Sequence, residues 1–315
     1  MGENYNDKKI AVVGAGGVGG YMAAMLAANY PQVSLVARGE RRKAIDEKGI
    51  ILHSDYHGEV AARPMQVVES AAELTPQDYI FICVKNYSLE DVCATLGSCV
   101  NDGTVIVPVM NGADPGERVR ALVPAGLVVD SLIYIVAFAG EDYSIIHQGG
   151  FADIRIGIQN ASKEEAEKVQ ETYELLLGAG IDCKKAEDIE REIWRKYILN
   201  CAYNVETAYY MNTIGELRSD SVKAEEYESL VQEAYLVAKA KGIHVTQEHV
   251  EAIIHRFYFE LAEDATSSLQ RDIRDGKRAE LETFGGYLVR EAKRLGIEVP
   301  VSERMYEELK RRQQF

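Results

Sequence analysis

The sequence predicts a doubly wound parallel α/β sheet over residues 1–187, followed by an all-helical domain over residues 188–315. Three observations predict it. Strand-like and helix-like segments alternate through the first half of the chain. The strand-like runs are apolar without interruption, as strands covered by helices on both faces must be. Past residue 188 no strand-like segment remains. At 315 residues the chain is long enough for each part to bury a core of its own.

In order, "KIAVVGAG" is a β-branched run ending in glycines, and "GYMAAMLAANY" is the helix after it. "QVSLVAR" is the second strand. Residues 50–68, "IILHSDYHGEVAARPMQVV", read as a hairpin insertion. "YIFICVK", "TVIVPVMNG" and "LVVDSLIYIVAFA" continue the strand series, and "IIHQGGFADIRIG" adds strand pairing near the end of the domain. "SKEEAEKVQETYELLLGAG" is an amphipathic helix stopped by glycines, and "IDCKKAEDI" is a short strand and turn. Helix then follows helix to the C-terminus, with no internal repeat.

Composition narrows the function. A net charge of −15 argues against a general nucleic-acid binder or a membrane-surface protein, since both need a positive face. No apolar run approaches the roughly 20 residues of a membrane span. The polar start "MGENYNDKK" leads directly into a strand and is no signal or transit peptide. Five cysteines lack CxxC spacing, and Cys83 and Cys201 sit in apolar segments, which points to reduced thiols. The expected setting is the cytoplasm. The six histidines show no zinc-ligand spacing, so no metal is expected.

Gly14, Ala15, Gly16, Gly17, Val18 and Gly19 spell G-x-G-x-x-G. The bare pattern is weak. Here it follows a strand, opens a helix and begins an alternating series, which is the context of a dinucleotide-binding, Rossmann-like domain. Gly14 permits the turn, Gly16 the approach of a pyrophosphate, and Gly19 close packing of helix on strand. About 20 residues on, where an acid marks NAD, stands Arg38, with Arg41, Arg42 and Lys43 close behind. Cations at a helix start oppose the helix dipole, whereas a guanidinium suits a 2′-phosphate, so NADP (NADPH) is the expected cofactor. Lys85 and Asn111 close two apolar runs at the carboxyl ends of parallel strands, where open α/β sheets bind ligands. Asn-Gly is also an ordinary turn pair, so Asn111 gains its weight from the company it keeps.

The helical half holds a segment, "WRKYILNCAYN", that is apolar on every side but one. Lys196, Asn200 and Asn204 recur at i, i+4 and i+8 and stack in one polar stripe. A buried ammonium needs a counter-charge or a wet cavity. Glu280, beside Leu281, Phe284 and Leu288, is a candidate acid, and the sequence leaves open whether it meets Lys196. A lysine whose pKa is lowered by burial suits the protonation of an alkoxide after hydride transfer to a ketone. A stripe that simply faces solvent is the plainer alternative.

These residues together make the chain resemble the ketopantoate reductase family over essentially its whole length. The similarity runs through "KIAVVGAGGVGG", Arg38, "VKN" with Lys85, "MNG" with Asn111, the lysine-asparagine stripe, "TSSLQRDI" with Ser268, Glu280 and "GIEVPVSERMYEELK". The resemblance implies NADPH-dependent reduction of 2-dehydropantoate to (R)-pantoate, in pantothenate synthesis, in a cleft between a Rossmann domain and a helical domain. It implies Lys196 as proton donor, with Glu280 beside it and the ligand. Asn200, Asn204 and Ser268 would lie on the substrate, with Asn111 at the reacting centre. Lys85, Asn111 and Glu280 would approach the nicotinamide ribose, and Arg38 the 2′-phosphate. Two places depart from the family pattern. Val205 and Glu206 follow Asn204 where many members have Pro and Leu, and Ile214 stands where some have Asn. An acid one turn from the stripe would bear on substrate choice. The rival readings are a reductase of another branched 2-oxo acid and a non-catalytic NADP-binding sensor. A sensor would have no use for the retained lysine. The expected partner is the small 2-oxo acid itself, and a homodimer is compatible with the apolar helical half.

Overall fold

The computed structural model of the chain describes residues 5–313. Its contacts divide it into two compact units, Met1–Ile189 and Glu190–Phe315. The first unit runs β1 (Ile10–Val13), α1 (Gly17–Asn29), β2 (Val33–Val36), α2 (Gly39–Lys48), β3 (Ile50–Ser54), β4 (Gly58–Ala62) and β5 (Gln66–Val68). It continues through β6 (Tyr79–Ile82), α3 (Leu89–Cys93), β7 (Val105–Pro108), α4 (Pro115–Leu122), β8 (Leu127–Val128), β9 (Asp130–Ala139), β10 (Ile145–Gly157), α5 (Lys163–Gly178) and β11 (Cys183–Lys185).

Six of these strands form one sheet in the order β5-β2-β1-β6-β7-β8. Every pairing in it is parallel, with Val13 opposite Val36 on one side and Ile82 on the other. The fold is therefore the doubly wound sheet the sequence predicts. Its order reverses beside β1, and the crevice at the strands' carboxyl ends opens there. The unbroken apolar runs are explained by cover on both faces: β1, β2, β6 and β7 are buried at every position.

Two expectations need correction. The apolar run from Leu127 predicts one more strand of the main series. Only β8 joins the main sheet, while β9 turns away and pairs antiparallel with β10. The segment 50–68 is not a single hairpin insertion either. Its β3-β4 hairpin enters a second sheet, of order β11-β10-β3-β4 with β9 on β10, and its end returns to the edge of the main sheet as β5. The second sheet covers α1 on the side away from the first, so Tyr21, Met22, Ala23, Ala24 and Leu26 are all fully buried. That is why α1 is apolar on all sides.

The second unit is helical: α6 (Ile189–Tyr210), α7 (Ile214–Ser219), α8 (Ser221–Ala240), α9 (Gln247–Phe259), α10 (Ser268–Arg274), a π-helical turn at Glu282–Gly286, α11 (Tyr287–Leu295) and α12 (Pro300–Gln313). Its core is ordered by polar pins as well as apolar packing. Buried Glu233 on α8 accepts from the N–H groups of Val301 (2.9 Å) and Ser302 (2.8 Å), satisfying the first turn of α12. No helix among the described residues is long and apolar enough to cross a membrane.

Candidate active site

The glycine loop leaves β1 with Gly14 at φ +104°, a region that disfavours any side chain, and a Cβ there would meet the Cys83 carbonyl oxygen at 2.7 Å. A Cβ on Gly19 would lie 1.9 Å from the Gly14 oxygen, so α1 can sit on the turn only with glycine here. Gly16 faces open space within 4 Å. Ala15 and Val18 complete the loop, Gly16 is the N-cap of α1, and no side chain caps it. A turn, an open approach and an uncapped helix start together make a cradle that fits a dinucleotide pyrophosphate. Gly17 carries a constraint absent from the sequence reading: its Cβ would lie 2.0 Å from the Ala137 oxygen of β9.

Lys85 and Asn111 both lie three residues beyond their strands rather than closing them. Lys85 precedes a 3-10 turn at Asn86–Ser88. The two segments are joined, since the Asn86 amide donates to the Asn111 carbonyl at 2.7 Å. Arg118 on α4 braces the same turn, donating to the Asn86 amide oxygen (3.2 Å) and carbonyl (3.3 Å). The Gly14 turn rests on Cys83 and Val84, immediately before Lys85. The first unit thus brings the loop, Lys85 and Asn111 to adjoining strand ends. Asn86 and Arg118 are the supports that sequence reasoning missed.

The four cations after β2 do not act alike. Arg42 is engaged by Asp46 (3.6 Å) and Glu69 (3.3 Å), and Lys43 by Glu40 at 2.7 Å. Arg38, the exposed N-cap of α2, donates to the Glu69 carbonyl at 3.3 Å. Arg41 turns inward and donates to the Ala15 carbonyl of the glycine loop. Of the four, Arg42 and Lys43 are therefore neutralised by neighbouring carboxylates, which leaves Arg38 and Arg41 as the cations of this cluster without a carboxylate partner among the described residues.

In the second unit, α6 presents Lys196, Asn200 and Asn204 in file. Lys196 is half-buried, and withdrawal of its ammonium from water lowers its pKa from 10.5 to about 8 against the opposing pull of the Glu280 carboxylate. The question left by the sequence is answered: Glu280, 4% exposed, faces Lys196 closely enough to act on its charge. Asn204 is buried; its amide nitrogen donates to the Asn200 carbonyl (3.1 Å), and its amide oxygen accepts from Ser268 Oγ (3.3 Å) and Leu269 N–H (3.4 Å). Asn204 is thus the hinge pin between α6 and α10 and brings Ser268 onto the stripe.

More pins, unforeseen from the sequence, hold this arrangement. Tyr203 Oη donates to the Thr266 carbonyl (3.1 Å), and Thr207 Oγ1 to Ser267 Oγ (2.7 Å), itself the cap of α10. Tyr197 Oη donates to the Thr283 carbonyl (2.9 Å) inside the π-helical turn just past Glu280. One helix therefore fixes both ends of the segment 266–284. A π-turn is a costly irregularity that is common beside functional groups.

Glu206 does not share the face of the stripe. Two residues past Asn204, it is rotated about 200° around α6 from the stripe. It is fully buried towards α8 and α9, and neither carboxyl oxygen accepts a hydrogen bond among the described residues. Ile214 is likewise fully buried, at the start of α7. The two departures from the family pattern are core positions.

The comparisons with known proteins agree with this architecture. Residues 10–161 match the model described as ketopantoate reductase PanE/ApbA, and residues 188–313 match its C-terminal counterpart. The chain is 27% identical over 301 residues to the uncharacterized oxidoreductase YkpB of Bacillus subtilis, covering 96% of this chain and 97% of that protein. The crystal structure of 2-dehydropantoate 2-reductase from Porphyromonas gingivalis superposes with a TM-score of 0.80 at 30% identity, covering 96% of this chain and 99% of that one. D-mandelate dehydrogenase, solved with NADH and anilino(oxo)acetate, shares the fold with a TM-score of 0.86 at 20% identity over 97% and 98% of the two chains. With both halves matched in order and a solved relative aligned nearly end to end, the chain is an oxidoreductase of the ketopantoate reductase family.

Proposed function

We propose that this protein reduces 2-dehydropantoate to (R)-pantoate with NADPH. The observation that carries the reading is Lys196, an ammonium drawn down to about 8 beside Glu280, in file with Asn200 and with Asn204, whose amide oxygen accepts from Ser268. A general acid works best when its pKa lies near the working pH, since it is then both protonated and willing to release its proton.

When bound, the reduced nicotinamide supplies the hydride for the keto carbon. The carbonyl π pair collects on oxygen, and Lys196 Nζ delivers the proton that turns the alkoxide into the hydroxyl. Glu280 holds the ammonium in its charged form until then. Asn200, Asn204 and Ser268 grip the carboxylate and hydroxyl oxygens of the substrate, Asn111 its reacting end. Gly14, Ala15, Gly16, Gly17, Val18 and Gly19 would hold the pyrophosphate, Lys85, Asn111 and Glu280 the nicotinamide ribose, and Arg38 the 2′-phosphate. Arg38 suits that task because it keeps its guanidinium exposed and, among the described residues, pairs with no carboxylate.

The test is the loss of reduced-nicotinamide absorbance, with NADPH or NADH, on 2-dehydropantoate and a panel of other 2-oxo acids. Turnover of 2-dehydropantoate with NADPH far above every other pair supports the proposal. Preference for another oxo acid overturns the substrate, and preference for NADH overturns the role of Arg38. Binding of NADPH without any turnover overturns the enzyme reading.

A further inference from the structure

Arg41 stands in the first turn of α2, where a cation meets the positive end of the helix dipole. Among the described residues it has no carboxylate partner to offset this. Instead, its guanidinium donates to the Ala15 carbonyl and lies 5.8 Å from the centroid of the Tyr143 ring. Tyr143 itself adopts φ +67°, an uncommon conformation for a tyrosine. Burial lowers the pKa of the guanidinium, with Tyr143 opposing the shift. A half-buried charge, placed against the helix dipole and closed over by a residue at positive φ, is held there by something worth these costs.

The peptide it grips suggests what that is. In a planar trans peptide, the C=O of one residue and the N–H of the next point in opposite directions. Anchoring the Ala15 oxygen towards α2 therefore aims the Gly16 N–H away from α2. Gly16 is the position with open space around it and the uncapped start of α1. We propose that Arg41 is a positioning residue for the dinucleotide: by fixing the Ala15–Gly16 peptide plane it pre-aims the loop's N–H donors at the pyrophosphate. The inference rests on the reading that this loop binds a nicotinamide dinucleotide. It divides the labour of two arginines. Arg38 reads the 2′-phosphate, whereas Arg41 serves every dinucleotide alike and makes no phosphate contact of its own.

Calorimetric titration of the full chain separates the two roles, with NADPH, NADH and adenosine 2′-monophosphate as probes, the last having no pyrophosphate. Losing one charge-assisted hydrogen bond that orders the loop weakens binding about tenfold. Arg41→Met is expected to weaken NADPH and NADH by the same factor and to leave adenosine 2′-monophosphate unchanged. Arg38→Ala is expected to weaken NADPH and the monophosphate while sparing NADH. Arg41→Lys, which keeps one donor for Ala15, should recover part of the loss, and it carries the test if Arg41→Met does not fold. A loss confined to NADPH and adenosine 2′-monophosphate, the two ligands with a 2′-phosphate, would make Arg41 a direct ligand of that phosphate and overturn the proposal, as would unchanged binding of both dinucleotides. If the unsubstituted protein bound neither dinucleotide, the cofactor reading itself would fall, an outcome distinct from an indifferent Arg41.

Discussion

Glu206 offers a severe test of the packing of the helical unit. Its carboxyl group is fully buried and accepts no hydrogen bond among the described residues, and burial, reinforced by Glu226 and opposed by Lys223, raises its pKa from 4.5 to about 9. Tyr227 on α8, whose hydroxyl is also buried and has no hydrogen-bond partner among the described residues, and Tyr258 on α9 face the same group. Since the folded pKa lies above the unfolded one, folding takes up a proton. The favourable contribution is complete below 4.5 and is lost as pH rises towards 9. Each unit of that rise costs about 1.4 kcal/mol, so near pH 7 the protein has given up about 3 kcal/mol. Glu206→Gln keeps the shape, offers an N–H to Tyr227 and removes the ionisation. The readout is urea unfolding followed through Trp194, the sole tryptophan, which is buried in the same helix. The variant should match the wild type near pH 4.5 and exceed its midpoint by about 1 to 2 M urea near neutrality, given the usual urea dependence of a small domain. Taking the difference between the two proteins cancels Lys196 and His249, which titrate in both. A difference that stays constant across this range would mean that Glu206 is satisfied in the native state, and the reasoning would be refuted.

Three further outcomes are expected. Lys196→Met should lower kcat by roughly 10²- to 10⁴-fold; in the wild type, kcat for ketone reduction should fall as pH rises through about 8, where Lys196 loses its proton, and in Glu280→Gln that limb should move to lower pH because the carboxylate no longer raises the lysine. Gly19→Ala drives a Cβ into the Gly14 oxygen and should destabilise the first unit by about 1–3 kcal/mol in thermal unfolding, whereas Gly16→Ala, with open space around it, should fold normally and lose dinucleotide affinity. Tyr197→Phe leaves the Thr283 carbonyl without its donor and should cost about 1 kcal/mol in urea unfolding; equal stability would show that this pin is dispensable.

Much of the fold was legible because the signals were local. A strand buried on both faces has to be apolar throughout, and a glycine that must sit at φ +104° or against a carbonyl oxygen cannot be replaced, so β1, the loop and α1 announce themselves. What was not legible depended on partners distant in sequence. β9 and a parallel strand of the main sheet look alike as apolar runs. Only the pairing of Asp130–Ala139 with β10, and the close seat of Ala137 over Gly17, distinguish them. The different roles of the cations after β2 are hidden for a similar reason. Their number is visible in the chain, but the engagement of Arg42 by Glu69 depends on the return of the chain beside β2 as β5.

The helix α6 shows both limits within a few residues. Its stripe was readable because a period of about 3.6 sets Lys196, Asn200 and Asn204 on one face whatever surrounds them. The same period turns Glu206 to the opposite face, so its separation from the polar stripe was already present in the spacing, although its proximity along the chain suggested otherwise. What no spacing contains is the cost of that position. An acid at a fully buried site, with neither oxygen bonded among the described residues, is held in the neutral form, and the packing of α6 on α8 and α9 has to bear it. One face of the helix therefore lowers a lysine into the range where it can give up a proton, and the other raises a carboxyl until it keeps one. Burial is the first cause in both cases, and the two faces differ in the charge that answers it: Glu280 opposes the shift at Lys196, whereas Glu226 adds to it at Glu206.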